Sequence, residues 1–158
     1  MAIATQTVSI NPAFLLEIKD DHHELRQLLH HTAAMVDRPS WMRKECDRLV
    51  DLLTKLRDQL AMHFSLEEAY GYFEDAISVA PHLSKRAEAL RAQHFDLYSQ
   101  LCSLVDQAEQ LLYHEAATVA SAGLTAGFHE FIALFQEHEA SESDLIQHAF
   151  HEDLGAGD

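Results

Sequence analysis

Apolar residues recur along this chain in steps of three and four, the spacing of helices that bury one face. The first stripe is Leu15, Ile18, His22, Leu25 and Leu29. Asn11 and Pro12 precede it as a cap and a first-turn residue, and Asp37-Arg38-Pro39-Ser40 breaks it. The second runs Leu49, Leu53, Leu56, Leu60, His63, Glu67 and Tyr70, then fades from Ser78 to Pro81, where proline can open a new helix. The third reads Leu83, Ala87, Leu90, His94, Leu97, Leu101, Leu104, Ala108 and Leu111. An Ala-rich stretch from Tyr113 to Gly127 follows, with its turn expected near residues 113–119. The fourth stripe is Phe128, Phe131, Phe135, His138, Glu142, Leu145 and Ala149, before Gly155. Four long helices with short connections predict an all-α fold, an antiparallel up-down-up-down four-helix bundle. The chain is expected to be a single domain, residues 1–158, with the core bundle over about 12–152.

Six polar residues break the stripes: His22, His63, Glu67, His94, His138 and Glu142. Each stands where the pattern otherwise places Leu, Ile or Phe, and an imidazole or carboxylate there costs several kcal/mol unless paired or bound. One buried histidine is ordinarily satisfied by a hydrogen bond. Six donors converging in one core point instead to a shared partner, and a pair of metal ions is the economical one. His63-x-x-x-Glu67 and His138-x-x-x-Glu142 each set a nitrogen and an oxygen donor on one helix face, ~6 Å apart along the axis. On diagonal helices, Glu67 and Glu142 could bridge two ions, with His22 and His63 on one and His94 and His138 on the other. Mixed imidazole and carboxylate donors suit iron or manganese, and zinc is also possible. His148-x-x-x-Glu152 repeats the spacing near the chain end without matching ligands at its level. The remaining histidines (His23, His30, His31, His82, His114, His129 and His151) read as surface or helix-end residues.

Composition narrows the options. A formal charge of −15 repels backbone phosphates and argues against nucleic-acid binding. No apolar run approaches the ~18 residues of a membrane span, and no basic stretch precedes the first apolar residues as in a secretory leader. Cys46 and Cys102 fall about 9 residues apart in level, roughly 13 Å along the axis, beyond the ~7 Å that a disulfide spans. Two free thiols, a reducing compartment and a cytoplasmic location are expected.

The segments Asp21-His22-x-x-Leu25-Arg26-x-Leu28-Leu29, His63-Phe64-x-x-Glu67-Glu68, His94-x-x-Leu97 and His138-x-x-x-Glu142 resemble the hemerythrin-like, or HHE cation-binding, domain over roughly residues 14–150. The resemblance implies a four-helix bundle holding two iron ions in a non-haem di-iron centre. Such a centre binds or senses oxygen, or acts in iron, nitric oxide or peroxide handling. Two departures are visible. Oxygen carriers of the family have a fifth histidine one turn after the helix-three histidine, where this chain has Tyr98. They also use His-x-x-x-x-Asp on helix four, where this chain has Glu142. Tyr98 could be a weak ligand, a donor behind the ligands, or a core phenol. Glu68 reads as a supporting or solvated acid.

The leading expectation is therefore a di-iron protein that binds or senses dioxygen or a related diatomic or peroxide ligand, with a separate protein as redox or signalling partner. An enzyme reducing peroxide or nitric oxide at the same centre is the first rival. A helical interaction domain with no metal, or only zinc, is the second.

Overall fold

The computed structural model describes residues 12–69, 78, 80–113 and 117–155, with side chains at 22–69, 78, 80–113, 121–149 and 151. Helix α1 spans Pro12–Val36, α2 Pro39–Lys44, α3 Cys46–Ala69, α4 Ser84–Tyr113 and α5 Ala117–Gly155. A 3-10 turn, Pro81–Leu83, leads into α4. The described residues form no strand, so the all-helical expectation holds, and five α-helices are bounded among the described residues.

The extra helix comes from the predicted break. Pro39 presets the first turn of α2, and Met42 on its inner face is fully buried. The Arg38 guanidinium lies 4.6 Å from the Trp41 ring centroid at its start. Glu45 (φ −122°, ψ 43°) then leaves helical geometry before α3 begins. The turn predicted near 113–119 falls between the end of α4 at Tyr113 and the start of α5 at Ala117. Asn11, Tyr70, His114 and the side chains of Leu15 and Ile18 lie outside the described residues.

Helix α3 packs against α1 and α4, and α5 packs against α4 and α1. Residue pairs between α4 and α5 run in opposite chain order: Arg86 with Asp144, His94 with Glu142, and Leu104 with Gly127. Between α1 and α5, His22 meets Glu139 while the Thr125 hydroxyl reaches the Val36 carbonyl at 3.0 Å. That hydroxyl satisfies a carbonyl left open at the end of α1.

The apolar core is in two parts. The larger joins Leu25, Leu60, Leu97 and Phe135 to the leucines and phenylalanines beyond them. The smaller holds Ala80, Leu83, Ala87, Leu90, Leu145 and Ala149. On α4, His94 lies between Leu90 and Leu97; on α5, His138 and Glu142 lie between Phe135 and Leu145. A polar layer thus separates the two parts, flanked on both sides by groups that exclude water.

Candidate metal centre

The six stripe-breaking residues come together in this layer. His63, Glu67, His94, His138 and Glu142 are buried, each no more than 5% exposed. His22 differs: its side chain is 29% exposed, at the seam between α1 and α5. The imidazoles form two pairs, His22 with His63 (ring centroids 5.4 Å apart) and His94 with His138 (4.9 Å). Glu67 connects them, with Oε1 2.8 Å from His63 Nε2 and Oε2 3.3 Å from His94 Nε2. Glu142 Oε1 sits 2.7 Å from His138 Nε2 and 3.2 Å from His94 Nε2.

Neighbouring side chains fix these rings. Phe64 stacks on His94 at 3.9 Å with planes 8° apart and meets His138 edge-on. His94 Nδ1 lies 3.2 Å from Glu68 Oε1, which identifies that half-exposed acid as an orienting group. His138 Nδ1–H donates to Gln93 Oε1 at 2.8 Å, which turns Nε2 toward the Glu142 carboxylate. Nε2 is buried without an aligned hydrogen bond. Glu67 Oε2, despite its nearness to His94, is also buried without one. Acceptors this close need a cation or a proton between them.

Electrostatics follow from the same contacts. Burial pushes the Glu67 carboxyl upward, but the imidazoles of His63 and His94 beside it outweigh that and hold the group at about 2. Burial works against the charged form of His94, yet Glu142 and Glu67 on either side raise it to about 9. Without metal, the two carboxylates favour the protonated form of His94. Ligand atoms of Glu67, His94, His138 and Glu142 lie within 4.8 Å of one another, as do those of His22, His63 and Glu139. Imidazoles and carboxylates gathered this closely suit divalent transition metals, so the donor set fits a bound metal cation.

Glu139 and Gln93 were missed in the sequence, and Phe64 stood in a motif without an assigned role. Glu139 sits on α5 one residue past His138 and turns toward α1, with Oε1 3.3 Å from His22 Nε2. Burial raises its carboxyl, against lowering by His63 and Arg26. Its only signal is an acid beside a stripe histidine. Phe64 and Gln93 carry none beyond their adjacency to motif residues. Tyr98 is not in the core: it lies on the surface beside Cys102, Arg57 and Asp58. His23, His30, His31, His82, His129, His148 and His151 are exposed, and Cys46 and Cys102 are free thiols. No helix among the described residues is long and apolar enough to cross a membrane.

A cavity of about 280 Å³ opens between α1 and α5 onto His22, His63 and Glu67, with Arg26 and Glu139 also in its wall. No curated protein and no solved structure matches the chain. The sequence model of the hemerythrin HHE cation-binding domain matches residues 14–153. The match covers most of the chain and contains every residue of the His/Glu cluster, and the protein belongs to that family.

Proposed function

We propose that this single domain is a non-haem di-iron protein that binds or senses dioxygen or a related small oxidant. The observation that carries the reading is the pairing of four imidazoles, His22 with His63 and His94 with His138, across the shared carboxylate of Glu67. His22, His63, Glu67, His94, His138 and Glu142 would hold the two ions. Helices α1, α3, α4 and α5 would supply them as an up-down-up-down antiparallel bundle, which the reversed residue order across α4–α5 and α1–α5 supports. A redox metal with exchangeable positions binds small oxidants and passes electrons to them. The protein groups exclude water through the flanking apolar layers and hold His94 and His138 by their outer nitrogens, with Phe64 stacked on His94. The free thiols suit a reducing, cytoplasmic setting.

A second reading, reduction of peroxide or nitric oxide, is favoured by the cavity of about 280 Å³ at His22 and His63, which gives a small substrate access to those residues. Oxygen or nitric oxide binding that reverses when the gas is removed supports the first reading. Sustained consumption of peroxide or nitric oxide with a reductant supports the second. Glu67→Ala is expected to abolish the paired-metal spectrum. A wild-type spectrum in that variant would sink the shared-carboxylate assignment.

A further inference from the structure

The two imidazole pairs are not equally supplied with carboxylate from the six stripe residues. The His94–His138 pair has Glu142 at 2.7 and 3.2 Å and a share of Glu67, whereas at the His22–His63 pair Glu67 approaches His63 at 2.8 Å and Glu142 stands in the wall of the adjoining cavity. Glu139 corrects the imbalance. Its Oε1 is buried and 3.3 Å from His22 Nε2, yet it makes no aligned hydrogen bond. An ion pair between His22 and Glu139 alone would turn a ring N–H along that line. A carboxylate oxygen of Glu139 and ring nitrogens of His22 and His63 lie within 4.8 Å of one another, close enough for one ion to be shared by all three.

We propose that Glu139 is the third protein ligand of the metal ion held by His22 and His63. Each ion then has two imidazoles and one carboxylate of its own, and the two share Glu67. The matching set of hard oxygen and imidazole donors suits ferrous or manganous ions at both positions. Glu139 stands in the cavity wall beside Arg26, so this carboxylate also sets how much of that ion faces the α1–α5 opening. The inference rests on the di-metal reading.

The test is an anaerobic titration of the metal-free full chain with cobalt(II), followed by absorbance, with the melting temperature measured before and after loading. Wild type should take up two equivalents. Glu139→Gln should retain one tight equivalent and bind the second more weakly by at least about tenfold, since a direct ligand is worth no less than the groups behind it. Its metal-free melting temperature should not fall, because a half-buried charge has been removed. Glu137→Gln, at an exposed neighbour, should match wild type and so exclude a general charge effect. Two equivalents of unchanged affinity in Glu139→Gln would overturn the assignment while leaving the di-metal reading standing. A lowered metal-free melting temperature with both equivalents retained would also overturn it, by making Glu139 structural. A wild-type chain that takes up no cobalt would remove the di-metal reading and this inference together.

Discussion

Which nitrogen of each histidine faces inward decides the chemistry of the centre. Gln93 accepts from His138 Nδ1 and Glu68 faces His94 Nδ1, so both rings present Nε2 to the carboxylates. In the proposed centre neither Gln93 nor Glu68 would be a ligand, yet partners at this distance typically govern affinity by about 10–100-fold. Gln93→Leu should therefore weaken metal binding within that range while leaving the number of ions unchanged, as read by competition with a chromogenic chelator. Unchanged affinity would show that stacking on Phe64 and packing suffice to hold His138. That the six stripe residues would cluster was legible because a charged or imidazole group at a heptad position contradicts its own environment. Glu139 was not, for a geometric reason. α5 faces α4 on one side and α1 on the other, so two successive residues can both point inward toward different neighbours, and a single-stripe reading retains only His138.

At the scale of elements, the helices were legible where their faces are leucine-rich, as along α3, whose buried residues repeat the predicted stripe from Leu49 to Glu67. The short α2 was not, because a proline break signals the end of one helix without revealing that the next six residues form another. The start of α5 was obscured by Gly123 and Gly127, which weaken a helix in isolation. Tertiary contact explains Gly127: a Cβ there would stand 3.1 Å from Leu104 Cδ2, so glycine permits the close approach of α5 to α4. Gly123 has no such neighbour within 4 Å. Gly123→Ala should accordingly stabilise the chain by roughly 0.5–1 kcal/mol through helix propensity. Equal denaturation midpoints for variant and wild type would imply that the first turns of α5 contribute nothing to global stability.

The whole molecule is organised around a polar layer that an apolar core would reject, and its stability should report how that layer is neutralised. In the metal-free chain, the raised His94 contributes stability that is full below its ordinary value of 6.5 and is lost as pH rises through about 9. The lowered Glu67 contributes stability that is full above its ordinary 4.5 and is lost as pH falls through about 2. Urea midpoints of the metal-free protein should therefore drop between pH values below 6.5 and above 9. Metal loading should raise the midpoint, because ions that bind only the folded state stabilise it by mass action. It should also flatten the alkaline drop, because the ion displaces the His94 proton. A metal-free chain equally stable across that range would mean that His94 carries no balancing proton.

The most direct test of the paired-metal centre is the metal content of the purified protein, taken with its visible spectrum under anaerobic conditions and again after air is admitted. The structure and the family lead to an expectation of two irons per chain and a charge-transfer band that appears on oxidation. A metal-free, colourless protein that resists reconstitution with iron would contradict it, and the His/Glu layer would then be a polar core held together by its own protons.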